Sequence, residues 1–557
     1  MARGILKSMA TVSGLILVSR VLGFFRQVLI TGVIGASGSP VADAFWAAFR
    51  LPNMFRRLFA EGAFQAAFIP LFQGHHVKDG HDAAKRFAED VMAWLVVILT
   101  GLTAIVMLAT PAFVYLLASG FAEEPEKFDL AVVYTRIMFP YLACMSLVGM
   151  FGGILNALHR FAAAAAAPVV LNITMITAVL LFANADTTMT GEAAAWGVFA
   201  GGVLQLGVLA LGARQLGFSL RLRLPKVTPH VKRLLILGTP GFIGAGALQI
   251  NTIIGTNIAS REQGAISWLM NADQLYQLPL AAIGIALGIV LMPSISRAVK
   301  EGNEEKARNT MNRGLELGLL FAVPSAAALI AMPVFLCQAL FQDFAGDALS
   351  VVGRSESAFN DRDSAATGLA LMVYGFGLPA FILHKILASA FFAREDTKSP
   401  MKTALVAIAI NATLSISLFP VIGFIAIPIA TITASWIEIS ILSWRLHRRG
   451  ILRPDQRLAS RTPRIILAAA AMGYLVWTMQ ANAPWLIEHI FLRQWILLIA
   501  IAGLGVGVYF SLILLLGGAR LADLKSALSG AGKGGPDKGR EGGGKAIAPP
   551  DDKSEKD

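Results

Sequence analysis

Charge is scarce in this chain of 557 residues. Only 15% are Asp, Glu, Lys or Arg, against about 25% in an average soluble domain. A soluble protein of this length would also divide into domains with polar surfaces between them, so an ordinary cytosolic enzyme is excluded. Cysteine is nearly absent. Cys144 and Cys337 lie in or beside apolar stretches, which excludes a disulfide scaffold and gives no metal-ligand spacing. The eight histidines show no ligand pattern either. Catalytic signatures are missing: no glycine-rich phosphate loop ending in Lys-Ser/Thr, no His-Glu-x-x-His and no nucleophile elbow. No cofactor, no resident metal and no ATPase chemistry are expected, and the chain is expected not to be an enzyme.

What is abundant is apolar. Hydrophobic residues make up 56% of the chain and the mean hydropathy is +0.65. Ala, Leu and Ile dominate, so membrane spans should be helices rather than barrel strands. The expected fold class is an all-α polytopic membrane protein. The net charge of +12 would raise nucleic acid in a soluble protein. In a membrane protein it is the ordinary excess of Lys and Arg in cytoplasmic loops, so no nucleic-acid partner is expected. Arg3 and Lys7 resemble a signal n-region, but Arg20 and Arg26 interrupt the apolar stretch behind them and no small-residue cleavage site follows. The stretch reads as a retained first helix.

Hydropathy predicts fourteen transmembrane helices, at 12–34, 41–72, 88–118, 130–158, 165–184, 192–214, 233–259, 267–297, 314–340, 364–392, 402–420, 422–446, 463–481 and 494–517. Residues 518–557 are rich in Gly, Lys, Asp and Pro and read as a disordered cytoplasmic tail. Alternate loops are basic, for example Arg221, Arg223, Lys226, Lys232 and Arg233, or Arg445, Arg448, Arg449, Arg453 and Arg457. The intervening ones are acidic or poor in basic residues, as in EEPEKFD (123–129) and SESAFNDRD (355–363). An even span count with this alternation puts both termini in the cytoplasm. RLPN in the second span (50–53) is echoed by QLPL in the eighth (277–280). That echo fits two parallel six-helix repeats, residues 1–230 and 231–450, related by an axis along the membrane normal. A helix pair at 451–517 would be an appendage.

Some charges sit where a bilayer makes them costly. Arg20 lies roughly 12 Å and Arg26 roughly 21 Å into the first span, and Arg56 roughly 24 Å above the basic end of the second. Arg26 and Arg56 are therefore expected at similar depth, near the midplane, where each charge costs about 2.5–3.5 kcal/mol on insertion scales. Such arginines imply a polar interior that an anion can reach, because guanidinium forks match phosphate oxygens and do not shed their proton. Structural alternatives stand beside this reading. Arg57 and Glu61 are spaced for an i, i+4 pair, and Arg20 can snorkel to the interface. Asp43 can cap the start of its own helix. In the eighth span Asp273 precedes Gln274 and Gln277, which share a face and suit interhelical hydrogen bonds. His384 and Lys385 in the tenth span suit snorkelling. The aromatic run Phe45, Trp46, Phe49, Phe55, Phe59, Phe64 and Phe68 suits packing. Gly23, Gly62 and Gly284 would permit close helix approach.

Several strings carry a family likeness: SRVLGFFRQ (19–27), ADAFWAAFRLPNMFRRLFAEGAFQAAFIP (42–70), GILNALHRF (153–161), APVVLNITM (167–175), ADQLYQLP (272–279) and AREDTKSP (393–400). Over about residues 5–515 the chain resembles the MurJ (MviN) family of bacterial lipid II flippases, within the multidrug/oligosaccharidyl-lipid/polysaccharide exporter superfamily. The resemblance implies two six-helix lobes around a central cavity, plus a C-terminal helix pair beside a lateral groove. It implies movement of undecaprenyl-pyrophosphate-linked peptidoglycan precursor, lipid II, from the inner to the outer leaflet by alternating access. The family's cavity arginines correspond to Arg20, Arg26 and Arg56, and its acidic residue at the start of the second helix to Asp43. Gln274 and Gln277 stand where many members carry a cation and an anion. Asn411 fits the family's cation site, but Ser415 and Gly255 replace its acidic positions, which weighs against sodium coupling.

The expected substrate-binding set is thus Arg20, Arg26, Asp43, Arg56, Glu61, Gln274 and Gln277, and the expected partners are lipid II and membrane lipids, with a coupling ion left open. Rival readings keep the fold and change the cargo, to another polyprenyl-linked glycan or to drug/cation antiport. A membrane enzyme acting on a lipid pyrophosphate would have only Asp43 and Glu61 near the arginines as acid–base groups.

Overall fold

A computed structural model describes residues 2–59, 63–354, 356–483, 487 and 493–519. Glu61, Gly62 and the tail from 520 onward lie outside the described residues. Among the described residues there is no strand. The helices are α1 (Ala2–Ile34), α2 (Pro40–Phe59), α3 (Ala63–Lys78), α4 (His81–Leu108), α5 (Thr110–Leu117), α6 (Pro125–Met138), α7 (Tyr141–Ala157), α8 (Phe161–Leu181), α9 (Thr187–Gln215), α10 (Pro229–Ala259), α11 (Ala265–Lys300), α12 (Glu304–Ala331), α13 (Pro333–Cys337), α14 (Ala345–Ser350), α15 (Asp361–Phe392), α16 (Lys398–Ile422), α17 (Ala426–Arg448), α18 (Gln456–Ala481) and α19 (Gln494–Leu515). A π-helical segment, Gln338–Phe344, joins α13 to α14.

Helix runs through each of the fourteen predicted segments, and ten stretches among the described residues are long and apolar enough to cross a membrane. The chain is a multi-pass membrane protein. The boundaries differ from the hydropathy estimate where helices continue as polar turns. The second segment runs on through His75, His76 and Lys78, and the third begins at His81 rather than 88. An apolar window registers only the part that lipid would cover. Local sequence explains the starts. Asp186, Thr228, Asn303 and Asp455 each accept a backbone N–H of the first turn of α9, α10, α12 and α18. Asn360 and Asp363 form a reciprocal capping box on α15.

Packing follows chain order. α8 packs on α9 and α1, α2 on α6, and α7 on α9; later, α15 packs on α11, α12 and α17, and α16 on α17. Phe45, Trp46, Phe49, Phe64 and Phe68 are buried, and their rings meet one another and Tyr134 and Phe87 edge-on or stacked, so these members of the aromatic run are packing. α18 and α19 form a second apolar cluster with α12, in which the Tyr509 hydroxyl donates to Leu320 O at 2.7 Å. Beneath that pair, Glu316 is surrounded by Arg313, Arg457 and Arg461.

The two ends of the bundle differ. At the end opposite the basic loops, hydrogen bonds join helices before residue 228 to helices after it. Gln263 Nε2 donates to Ser37 O at 3.0 Å, Gly120 N to Ser260 Oγ at 3.0 Å, Asn184 Nδ2 to Val352 O at 2.6 Å and Ala358 N to Gly32 O at 2.7 Å. Arg354 donates to Ala183 O (2.8 Å) and Val33 O (3.1 Å). At the basic end the two parts of the chain meet where α3 packs on α10 and the rings of His75 and His230 lie 4.3 Å apart. There, in contrast, Leu17, Val18, Arg20 and Val21 of α1 and Met292 of α11 are exposed. The hydrogen bonds described between the two parts of the chain thus gather at the end opposite the basic loops.

Candidate functional site: charged groups between α1, α2, α11 and α15

α1 brings Arg26 against α8. Its Nη1 donates to Asn172 Oδ1 at 3.0 Å and approaches Met175 Sδ at 3.6 Å, while Cζ lies 6.0 Å from the Phe49 ring centroid. Asn172 in turn donates to Ser19 O at 2.9 Å. Arg26 Nε is buried with no hydrogen-bond partner, and among the described residues Arg26 meets no carboxylate. Gln27, the next residue, and Thr31, a turn further on, both donate to Asn271 Oδ1, at 2.7 and 2.8 Å, across to α11.

α2 contributes three arginines. Arg50 donates to Thr256 Oγ1, and the charged groups around it are Asp273 and Asp43 on one hand and Arg57 on the other. Arg56 is half-buried and its Nε donates to Asn53 Oδ1 at 3.1 Å; Arg57 is exposed. Sequence reasoning passed over Arg50, reading it only as part of a Leu-Pro motif. The signal was present: an arginine six residues before Arg56 in the same apolar span.

Depth also needs correcting. The shared outer ends of α1 and α2 are Ile34 and Pro40. Counted from there, Arg26 lies roughly 12 Å and Arg50 roughly 15 Å inward, while Arg20 and Arg56 lie roughly 21 and 24 Å inward. Arg26 and Arg56 are therefore not level. The cations fall into two tiers, Arg26 with Arg50 and Arg20 with Arg56. The estimate failed because hydropathy placed the basic-end boundaries of the two helices wrongly.

On α11, Asp273 accepts from Gln277 Nε2 one turn on. Gln274 is half-buried and Gln277 exposed, so Gln277 bonds within its own helix rather than between helices. Asp43 is 1% exposed. It does not cap its own helix. Its Oδ2 accepts Gly264 N at 2.7 Å, and its Oδ1 accepts Ser267 N at 3.0 Å and Ser267 Oγ at 2.8 Å. The carboxylate thus sits on the N-terminus of α11, where exposed N–H groups and the helix dipole favour an anion. Asp363 does similar work nearby, accepting from Ser37 N and Oγ and from Trp268 Nε1.

His384 does not snorkel: its Nε2 lies 3.2 Å from Glu438 Oε1 on α17. Lys385 lies across Gly284 of α11, where a Cβ would meet Lys385 Nζ at 2.6 Å. Gly23 faces Asn172 at ordinary contact distance. In the second part of the chain, Asn411 Nδ2 donates to Thr431 Oγ1 at 3.0 Å and Ser415 Oγ to Asn411 Oδ1 at 3.3 Å. Among the described residues cations outnumber carboxylates in this region, and Asp43 is already committed to α11. The arrangement suits a multivalent anion.

Known proteins resemble the chain over nearly its whole length. The family model described as lipid II flippase MurJ matches residues 30–503. A probable lipid II flippase MurJ of Rhizobium tropici is 41% identical over 534 residues, covering 94% of this chain and 96% of that protein. Lipid II flippase MurJ of Burkholderia cenocepacia is 34% identical over 490 residues, covering 86% and 91%. Among solved structures, lipid II flippase MurJ in an inward closed conformation superposes with a TM-score of 0.73 at 23% identity, covering 90% of this chain and 98% of that one. An inward-facing multidrug resistance MATE family transporter of the MOP superfamily superposes at 0.62 with 14% identity, covering 78% and 95%. These two likenesses concern the fold alone. The family model and the identities decide the affiliation: the chain belongs to the lipid II flippase MurJ family.

Proposed function

We propose that this chain moves lipid II from the inner to the outer leaflet of the bacterial cytoplasmic membrane by alternating access, without making or breaking a covalent bond. Fourteen helices cross the bilayer, both termini and the basic loops face the cytoplasm, and residues 1–230 and 231–450 act as two lobes with 451–517 beside the second. The hollow between the lobes opens toward the basic end. Its arginines take the place of water around the pyrophosphate, while the isoprenoid tail stays in lipid.

The observation that carries this reading is Arg26. A guanidinium held among Asn172, Met175 and Phe49, with a buried Nε lacking a partner, is a permanent charge awaiting an anion. The two tiers give that anion a path. Arg20 and Arg56 receive the diphosphate near the open end, and Arg26 and Arg50 hold it deeper, beside the closure formed by Asp43. A drug/cation antiporter would need carboxylates where this chain carries arginines. Another polyprenyl-linked glycan would use the same phosphate chemistry, and replacement of a known lipid II flippase in cells separates it.

The test is leaflet accessibility of lipid II in proteoliposomes, with and without an imposed membrane potential. Loss of a charged hydrogen bond costs about 1.5–3 kcal/mol, so Arg26→Gln should slow flipping by roughly tenfold or more, with Arg26→Lys intermediate. Normal flipping by Arg26→Gln would end the proposal.

A further inference from the structure

A slot of about 420 Å³ lies between α3, α4 and α10. It stands where the two parts of the chain meet at the basic end, with α3 packed on α10. Of its lining, Phe64 and Ala67 are buried while Ile98 and Leu235 are exposed, so the slot opens to the outside of the bundle. The lining side chains are apolar but for one atom, Trp94 Nε1, and that atom donates to Lys226 O at 2.9 Å. Gly238 and Gly246 leave the room on α10, and from Val231 to Gly246 the slot follows that helix for roughly 22 Å. None of the arginines named above lines it. Water does not settle in a cavity without polar partners. At the end nearest the basic loops, the connection between α9 and α10 crosses α4. Glu89, 1% exposed, holds it there: Oε1 accepts Arg221 N at 3.1 Å and Oε2 lies 2.6 Å from Arg223 Nε. Leu222 and Leu224 of this connection are exposed between cations, a composition that suits the level of the lipid headgroups. Lys226, Lys232 and Arg233 are exposed beside the mouth and meet no carboxylate among the described residues.

We propose that this slot binds an anionic phospholipid from the leaflet on the side of the basic loops, with one acyl chain between α3, α4 and α10 and the phosphate among Lys226, Lys232 and Arg233. The length argues for an acyl chain. Half of a bilayer's hydrocarbon core is about 15 Å thick, so a chain that enters at headgroup level ends within the slot. The mouth argues for the class. An apolar interior accepts the hydrocarbon of any lipid, whereas three cations without a carboxylate favour an anionic headgroup over a zwitterionic one. A lipid seated in this way touches α3 and α4 of the first part of the chain and α10 of the second, and so fills the junction between them. The inference is independent of the lipid II reading, because no transported cargo enters it.

The experiment strips the purified full chain of lipid and titrates it with phosphatidylglycerol or phosphatidylcholine, reading the bound lipid by native mass spectrometry. One phosphatidylglycerol should bind more tightly than the rest, and roughly tenfold or more tighter than phosphatidylcholine, since each cation near the membrane surface is worth roughly a fivefold factor. Lys232→Gln combined with Arg233→Gln should remove most of that preference and leave phosphatidylcholine binding unchanged. Ala67→Phe, which fills the slot without altering a cation, should abolish the tight site. Position is read separately. Phosphatidylglycerol brominated midway along its acyl chain should quench the share of the fluorescence that Trp94→Phe removes, and brominated phosphatidylcholine at the same level should not. The proposal is overturned if the two lipids bind equally, if the double variant keeps the native preference, or if the Trp94 share is not quenched. Undecaprenyl phosphate serves as competitor. If it displaces the bound phosphatidylglycerol at equal concentration, the slot belongs to an isoprenoid chain and the proposal falls; if it does not, the acyl chain stands. Should a lowered melting temperature show that Ala67→Phe is misfolded, the double variant and the quenching decide. A folded Ala67→Phe that retains the tight site also overturns the proposal.

Discussion

Asp43 and Ser267 lie 224 positions apart in sequence, yet the Asp43 carboxylate accepts both the backbone N–H and the hydroxyl of Ser267, at 3.0 and 2.8 Å. With Gly264 N as a third donor, a side chain of α2 completes the first turn of α11. Asp43→Ala would leave buried N–H groups unpaired, at about 1–3 kcal/mol each. Ala36 is fully buried at this end, so a cysteine placed there reports opening. Modification of Ala36→Cys by a membrane-impermeant maleimide should be at least about fivefold faster in the Asp43→Ala background. Equal rates would show that the contact does not hold the end closed.

Arg354 supplies a second fastening, to the carbonyls of Ala183 and Val33 near the C-terminal ends of α8 and α1. A cation there also suits the helix dipoles. Arg354→Gln should raise the labelling of Ala36→Cys by roughly two- to fivefold, given a partly exposed group worth up to about 1 kcal/mol. Lipid II binding to the purified protein should change little.

Gly35 has φ +70°, and a Cβ there would stand 2.7 Å from Ala358 O. Gly35→Ala combines a left-handed backbone, about 1–2 kcal/mol for a residue with a side chain, with a backbone clash. Thermal unfolding in detergent should show a clear loss of stability. Gly38→Ala, three residues away with nothing within 4 Å, should match the native protein.

Arg50 and Asp273 test whether a cation serves structure or cargo. Arg50→Gln removes one of the two arginines, with Arg57, whose charges act on Asp273, and should lower both stability and flipping. Adding Asp273→Asn should restore the melting temperature, because a paired charge removed as a pair costs far less than one removed alone. Flipping should stay low in the double variant. If flipping returns with stability, Arg50 is a structural partner only.

Glu316 is buried among Arg313, Arg457 and Arg461. Glu316→Gln removes the carboxylate that Arg313, Arg457 and Arg461 share, leaving Asp455 to Arg313. A loss of about 3–5 kcal/mol is expected, as for other broken buried pairs, and limited proteolysis should release α18 and α19 first.

Much of this was legible in the sequence because lipid imposes simple rules. Long apolar runs, basic loops and arginines inside spans each carry a strong physical signal. Of those arginines, Arg26 packs against Asn172 and Met175 of α8, Arg56 is half-buried on α2, and Arg20 is exposed. What escaped was relational. Asp43 sits at the start of α2, so capping its own helix was the natural inference. Its true partners are reached only through tertiary packing. Lys385 read as a snorkelling residue because nothing local reveals that Gly284 clears a berth for it on another helix. Arg50 was hidden by a motif that drew attention to the proline. Glu61 and the tail fall outside the described residues.

The fastening opposite the basic loops relies mostly on main-chain partners: Gly264 N, Ser267 N, Val33 O, Ala183 O and Gly32 O. Every amino acid but proline offers the same amide, and all offer the same carbonyl. The sequence demands at this end therefore fall on the side chains that reach those main-chain groups, Asp43, Arg354 and Asp363 with Gln263, Ser260 and Asn184, and on Gly264 and Gly32, where a Cβ would meet Trp268 and Ala345 below 3 Å. Engineering at this face can accordingly vary Val33 and Ala183, which lend only their carbonyls, more freely than the side chains and glycines that meet them.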